Sequence, residues 1–581
     1  MTIIRHLQIV NFRSLRYAEW YPKPGLNCLI GPGDAGKSTI LDAIDLALGA
    51  RRSYVFTDAD FYLSRTAEPI QVTVTLGALD DDLKNLEAYG RYLRGLNATT
   101  HQVNDEPLPG DEVVLTLQMT VNEDLEPDWC LYSVRAAKEG HTKHLSWRHR
   151  ELLTPTRLGT TAQHHLAWGN RSILNKLSVE TLDVTATLAE LSRGARRDFA
   201  AQPLPQLAVL LTQVQTIGNN LGVPLEPLKA LLDVNGVSLS NGAVSLHNPD
   251  GIPLRMLGTG SSRLLISGLH QAAGKSRIFL VDEAEYGLEP YRISRLLQAL
   301  GSKDDQPAGQ VFITTHSPFV LRELQSSQLS VLRSLPDDPA PAQAQPAPSH
   351  TIKSLGSGED EQATLRACAE AFFSKAVIVG EGRTEVGLIR GLDLFWLSAG
   401  GPGFQDRGVY ATDGDGGDNY FRRASVFARL GYNTALLKDS DIPGDAHQQQ
   451  TRKCEQSGVT VFEWGNGYST EGALFANCPL EAIPAILNLA AQNFGEQQVN
   501  QHILNHSGQE HTLQSCIANP ADNMRQPLAN AAGKYKWFKS ISVAELLGQY
   551  VVGPYYAGFG EEFRNRIHSL YIWGQVNGDR R

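Results

Sequence analysis

The sequence predicts an α/β protein of two sheet domains, one before residue 336 and one after it. Three observations predict this. Short apolar runs, "LNCLI" (26–30), "RIFLV" (277–281) and "AVIVG" (376–380), alternate with stretches of helical periodicity, the pattern of strands delivered to a largely parallel sheet. The segment "PDDPAPAQAQPAPSH" (336–350) alternates proline and alanine without apolar period, as an extended linker does. At 581 residues the chain exceeds one ordinary core, so two or three domains are expected.

Composition narrows the function classes. The 62 acidic and 52 basic side chains leave a formal net charge of −10, which argues against a chain coated in nucleic acid through overall charge and makes any DNA contact local. Six cysteines are scattered with no C-x-x-C pair, so they read as reduced thiols of a cytoplasmic protein, not a zinc site or disulfide framework. The opening "MTIIRHLQIVNF" alternates like a strand, and no apolar run approaches the roughly 18 residues of a membrane span, so no membrane partner is expected.

Element by element, residues 1–164 and 233–335 read as two halves of one sheet domain. Between them, 165–232 is almost continuously helical in pattern and reads as an inserted arm with a pairing surface. The linker spans 336–370. From 371 to 581 the order is strand "AVIVG", helix "TEVGLIRGLDLFW", strand "GVYA", helix "NYFRRASVFARL", strand "NTALL" and strand "VTVFE", a parallel α/β unit.

The first site is a phosphate loop. "CLIGPGDAGKSTILDAI" carries G-x-x-x-x-G-K-[ST] as Gly31, Pro32, Gly33, Asp34, Ala35, Gly36, Lys37, Ser38 and Thr39, after an apolar strand and opening a helix. Small residues let backbone N–H groups face the phosphates of ATP, Lys37 reaches the β/γ oxygens, and Ser38 ligates Mg²⁺. "RIFLVDEAEYGLEP" then ends an apolar strand in Asp282, expected to hold Mg²⁺, and Glu283, expected to orient the attacking water. "VFITTHSP" supplies a further strand ending in His316, and "MLGTGSSRLL" a Gly/Ser turn at Gly258, Gly260 and Ser261 ahead of a helix.

These four pieces in this order resemble the ABC-type ATPases of the RecF, SMC and Rad50 group. The resemblance implies a homodimer in which two heads sandwich ATP: Lys37, Glu283 and His316 act from one subunit, and the turn at Gly260 and Ser261 caps the γ-phosphate from the other. Asp60, in "TDADFY", is the candidate for the Q-loop region. The chain departs from that pattern at Gly33, where asparagine is common, and in the loose signature "GTGSS".

The second site is acidic. In "KAVIVGEGRTEVGLIRGL" (375–392) the strand delivers Glu381 at the sheet's carboxyl edge, and Glu385 follows one helical turn later. Acids near a helix start are also ordinary caps. What favours a site is "TALLKDSDIPGD", where a second strand ends in Asp439 and Asp441, i and i+2 in an extended segment and so on one side. Four clustered carboxylates repel one another unless a hard cation, Mg²⁺ or Mn²⁺, lies among them. Asp413 and Asp415 in "YATDGDGGDNY" also spell D-x-D, but among turn glycines they read as a solvated loop.

Glu381-Gly382-x-Thr384-Glu385, the turn at Gly416 and Gly417, and Asp439-x-Asp441 resemble the Toprim domain of topoisomerases and bacterial primases. ATPase followed by Toprim over nearly the whole chain resembles the OLD (overcoming lysogenization defect) family nucleases, which include the Gabija nuclease subunit. That resemblance implies a further metal acid, for which Glu471 in "GYSTEGALF" fits, with Ser469 and Thr470 able to cap its helix. It also implies a lysine near the C-terminus, with Lys534, Lys536 and Lys539 on offer and Lys536 favoured.

The expected activity is two-metal hydrolysis of DNA phosphodiesters, with ATP as regulator or clamp, in defence against phage or in DNA processing. A helicase-like partner is a further expectation of the resemblance. The rival readings are a RecF-like DNA-binding ATPase whose Toprim unit is inert and, more remotely, a transporter ATPase. The basic runs "SWRHR" (146–150) and "RGARRD" (193–198) are weighed as phosphate contacts against solvated helix faces, the second being favoured.

Overall fold

The structure, a computed structural model, describes residues 2–158, 185–201, 212, 249, 256–273, 277–305, 307, 309–334, 350–442 and 444–578. Strands are numbered in chain order. The chain forms two compact units, one from Met1–Thr154 with Asp305–Arg581 and one from Pro155–Asp304.

The first unit opens on an antiparallel sheet that the sequence reading did not identify. β1 (Ile3–Phe12), β2 (Leu15–Trp20), β4 (Ile70–Gly77), β5 (Leu93–Leu96), β6 (Val103–Asn104) and β7 (Glu112–Val121) run in the order β2-β1-β4-β7-β5-β6, and β8 (Pro127–Leu131) also pairs with β7. "IQVTVTLG" in β4 is buried at almost every position, so this sheet is covered on both faces. Against it lies the P-loop helix Lys37–Leu48, whose Leu46 carbonyl accepts the Trp129 indole N–H at 2.9 Å.

The P-loop stands on a second group of strands. β3 (Gly25–Ile30) is fully buried and lies between two parallel neighbours, β11 (Gln310–Thr314) and β12 (Leu329–Ser334), with β13 (His350–Ser354) antiparallel outside β12. Buried Gln310 ties the two sheets together, its side-chain amide accepting from Ile4 N at 2.8 Å and donating to Ile4 O at 2.9 Å.

Residues 336–349 of the expected linker lie outside the described residues. The remainder, 350–370, is not linker: β13 pairs with β12, and helix Glu359–Ala367 docks through Gln362, which accepts from Ser326 N at 2.8 Å. "HTIKS" pairs in register with "LSVLRS", which proline counting upstream hides.

After it comes a four-stranded, wholly parallel sheet in the order β15-β14-β16-β17: β14 (Ala376–Gly380), β15 (Val409–Asp413), β16 (Asn433–Lys438) and β17 (Val459–Glu463). These are the strands read from sequence. The acid-site helix Arg383–Ser398 follows β14, and a run of helices from Thr470 to Gly578 packs into the same core through Trp537, Phe538, Phe563 and Ile567. His316, beyond β11, stacks on Phe373 just before β14, with ring centroids 6.2 Å apart.

In the second unit, β9 (Thr156–Leu158) and β10 (Ile278–Val281) pair in parallel. The expected arm is represented by helix Thr185–Ala201 alone; the rest of 165–232, apart from residue 212, lies outside the described residues. Helix Thr259–Ala273 begins at the Gly/Ser turn, as expected. No single described helix is long and apolar enough to cross a membrane.

Candidate functional site

At the carboxyl ends of β14 and β16 the acids converge. Glu381 leaves β14 with its N–H on the Leu437 carbonyl of β16 at 2.8 Å, and its Oε2 accepts from Asp439 N at 2.9 Å, so the end of β16 fixes the acid of β14. Glu385 is buried in the first turn of the acid-site helix, where Oε2 accepts from Gly382 N at 2.7 Å. Its other oxygen, Oε1, lies 2.7 Å from the Thr470 hydroxyl, which is also 2.9 Å from Asp439 Oδ1; Asp439 Oδ1 accepts from Thr470 N as well.

Thr470 was expected only as a helix cap. Ser469 takes that role, accepting from Gly472 N at 3.1 Å, and Thr470 bridges two acids while accepting the Trp464 indole N–H at 2.7 Å. A hydroxyl has one proton to give and here faces two carboxylates, so the bare cluster is short of positive charge. Glu471 sharpens the shortage: it is buried, and its Oε1 has no hydrogen-bond partner among the described residues.

The electrostatics follow from this crowding. Burial, then the charges of Glu385, Glu381 and Glu471, pushes Asp439 up to about 9. Burial, then Glu385, pushes Glu471 up to about 7. Burial raises Glu381 too, reinforced by Glu385 and Asp441. Asp441 is exposed at the rim, its charge felt by Glu381 and Glu471. An all-oxygen set with one orphaned buried carboxylate oxygen suits a hard divalent cation, and Glu381, Glu385, Asp439, Asp441 and Glu471 are the residues that would hold it.

Lys536, favoured from sequence, is an exposed residue in left-handed conformation (φ 57°) closing helix Arg525–Tyr535. Lys539, also exposed, is the lysine whose charge interacts with the acids: desolvation works against its ammonium, but Glu471, Glu385, Asp439 and Glu381 outweigh that and raise its pKa. Asp413 and Asp415 were expected in a solvated loop; Asp413 instead ends β15, half-buried and 3.5 Å from Arg383, while Asp415 is exposed just beyond the strand, 3.2 Å from Arg423.

The P-loop is formed. Gly31 (φ 147°) has the Leu332 carbonyl 2.3 Å from where a Cβ would sit, and Gly36 (φ 93°) has Leu15 and Ser14 side-chain atoms within 2.9 Å, so neither position admits a side chain. Gly33, by contrast, meets nothing within 4 Å. Buried Lys37 donates to the carbonyls of Gly31 and Pro32 at 3.1 and 2.7 Å, along the edge of the loop that phosphates are expected to line. Ser38 is exposed, and Thr39 Oγ1 lies 3.1 Å from Ser14 Oγ. Asp60 is occupied as an acceptor, from Arg13 Nε at 2.9 Å and Thr57 N at 3.0 Å.

In the second unit, Asp282 lies 3.6 Å from Arg157, and Glu283 is exposed with φ 48°, a strained conformation for a non-glycine residue. Buried Arg263 gathers that turn by donating to the carbonyls of Asp282, Glu283 and Tyr286, each at 3.0 Å. Gly260 packs where a Cβ would be 2.5 Å from Gly287 O, and Ser261 Oγ accepts from Arg292 at 3.1 Å, so both have local duties besides any at a γ-phosphate. Of the basic runs, Arg150 is buried, donates to Gly49 O at 2.8 Å and caps the Trp129 ring, so that run is partly core. Arg193 and Arg197 are exposed on helix Thr185–Ala201.

A family model described as "AAA domain, putative AbiEii toxin, Type IV TA system" matches residues 26–322. The chain is 25% identical over 368 residues to the OLD nuclease of Thermus scotoductus, a match covering 58% of this chain and 63% of that protein, so it spans a little under two thirds of that relative's length. It is 44% identical over 48 residues to the DNA replication and repair protein RecF of Moorella thermoacetica, 8% of this chain and 13% of that one. Among solved structures, the Smc head bound to the C-winged helix domain of ScpA is similar over 61% of this chain and 98% of that chain, at 13% identity and a TM-score of 0.33.

Proposed function

The chain belongs to this AAA-domain family, and on that premise we propose that it is an ATP-binding, metal-dependent DNA endonuclease whose Toprim-like acid centre hydrolyses phosphodiesters. The observation that carries the reading is the buried cluster of Glu385, Asp439 and Glu471 with an unpartnered carboxylate oxygen, at the edge of a parallel sheet where ligands of α/β folds bind. The 25% identity to an OLD nuclease supports it. Mg²⁺ or Mn²⁺ held by these acids supplies the positive charge and the activated water that phosphodiester hydrolysis needs.

The chain's own residues then have definite tasks. Glu381 is held by Asp439 N and the Asp439 carboxylate by Thr470, so the acids do not have to be gathered when substrate arrives. Thr470 orients Glu385 and Asp439, and Lys539 balances the cluster's charge from the open side, where a scissile phosphate would approach. At the P-loop, Lys37 exchanges its loop carbonyls for the β/γ-phosphate oxygens of ATP, and Asp282 and Glu283 keep the roles that their sequence context gives them. Self-association through ATP-sandwiched heads belongs to this reading, and light scattering with and without ATP tests it.

Incubation with supercoiled plasmid decides the main claim. Wild type is expected to nick in Mg²⁺ and not in EDTA. Asp439→Asn is expected to lose about a thousandfold in cleavage rate while hydrolysing ATP normally, and Lys37→Ala to lose ATP hydrolysis. Asp415→Asn, outside the cluster, is expected to cut within about twofold of wild type. Cleavage in EDTA, or undiminished cleavage by Asp439→Asn, would leave a DNA-binding ATPase with an inert acid cluster.

A further inference from the structure

Two arginines beside the acid centre have no part in the chemistry above. Arg383 is the first residue of the acid-site helix, and Arg390 stands seven residues on, nearly two turns along the same face. Both line an open groove with Asp413, Ser540, Ser542 and Glu545. The floor is the seam between the acid-site helix and helix Ile541–Leu547. There Gly387 and Gly391 approach so closely that a Cβ would lie 2.5 Å from Ile541 O and 2.1 Å from Glu545 O, so the floor is backbone on backbone.

The groove and the acid centre are built on neighbouring residues. Arg383 falls between Glu381 and Glu385 in the chain, Ser540 follows Lys539, and Asp413 is the register partner of Gly380, the residue before Glu381. A polymer bound in the groove would therefore lie beside the centre.

The lining suits phosphate oxygens. Arg383 Nε is 3.5 Å from Asp413, with side chains 64% and 27% exposed, and Arg390 Nε is 3.4 Å from Glu545, at 43% and 32%. Ion pairs this exposed contribute little in water, so a phosphodiester can take either guanidinium from its carboxylate. Seven helical residues at 1.5 Å each set the two arginines about 10.5 Å apart along the helix, far enough for each to take a different phosphate of one strand. Two guanidinium forks and two serine hydroxyls are groups that grip phosphate and sugar irrespective of base.

We propose that this groove seats the phosphodiester backbone of the strand being cut, Arg383 and Arg390 each engaging a different phosphate, independently of sequence. The proposal rests on the nuclease reading and adds to it the path of the strand, along the acid-site helix. Asp413 holds Arg383 at the mouth until a phosphate displaces it.

The test is binding of labelled DNA of several sequences by fluorescence anisotropy in EDTA across a salt series, with plasmid nicking in Mg²⁺ measured alongside. Arg390→Ala is expected to weaken binding to every sequence alike and to reduce the log–log salt slope by about 1; Arg390→Glu is expected to weaken it further. Arg148→Ala, an exposed residue far along the chain, is expected to leave the slope unchanged. Wild-type affinity and slope in Arg390→Glu, with wild-type nicking intact, would overturn the groove and spare the nuclease. Neither binding nor nicking by wild type would overturn both. Because Arg390 is partly exposed, an unchanged melting temperature is expected and separates lost binding from lost folding.

Discussion

Glu471 and Asp439 make the acid centre a pH sensor as long as no cation occupies it. Glu471 is pushed from 4.5 up to about 7, and Asp439 to about 9, chiefly by burial. A carboxyl that titrates higher in the folded than in the unfolded chain binds extra protons in the native state, so stability falls as pH rises from its unfolded value through its folded one. In EDTA the melting temperature is therefore expected to drop between pH 5 and pH 8, and Glu471→Gln to flatten the drop over its lower part; a flat or rising wild-type profile would contradict this assignment. At the upper end Mg²⁺ is expected to restore stability by mass action. The lysines give a second residue-scale prediction: Lys539→Ala should slow cleavage at least about tenfold, and Lys536→Ala less than about twofold, in the plasmid assay. The acids were legible because each ends or follows an apolar strand. Lys539 was not, because three lysines in "GKYKWFKSI" look alike until the packing of Trp537 and Phe538 fixes which one turns toward the cluster.

At the scale of elements, the acid-site helix depends on its glycines. Gly391→Ala would push a methyl group into backbone at Glu545 and Gln549, and should destabilise by about 1–3 kcal/mol, read as a lower urea midpoint. Gly533→Ala meets nothing within 4 Å in helix Arg525–Tyr535, and should stabilise by about 0.5–1 kcal/mol through helix propensity and a stiffer unfolded chain. Equal effects from the two would mean that the seam is loosely packed. The parallel strands were legible one by one, since β14 to β17 are each short apolar runs bounded by acids or glycine. The antiparallel sheet was not, because although β1–β2 and β7–β8 are hairpins close in the chain, they become one sheet only through β4, which pairs with β1 and β7 across long stretches that no local signal announces.

Over the whole molecule, the P-loop and the acid centre lie in one compact unit, although the sequence suggested a proline-rich divide between them. What escaped the sequence is long-range closure: Arg333 donates to Ser374 O at 3.4 Å and His316 stacks on Phe373, joining segments on either side of the expected boundary. These ties predict that a chain ending at residue 304 will not bind a fluorescent ATP analogue, even with its P-loop sequence intact, because β3 then lacks both hydrogen-bonded neighbours. Nucleotide binding by that fragment at the affinity of the full chain would show that the loop needs no sheet beneath it.

The placement of β3 between β11 and β12 also sets a timetable for synthesis. The ribosome makes β3 early, and its neighbours follow about 280 residues later, which at roughly 5–20 residues per second is about 14–56 s. Through that interval the first antiparallel strands can pair among themselves, while "GLNCLI" is an apolar strand with nothing beside it. The phosphate loop thus cannot take its final shape until β11 and β12 have been made, and the newborn chain is exposed to aggregation for as long as that strand waits.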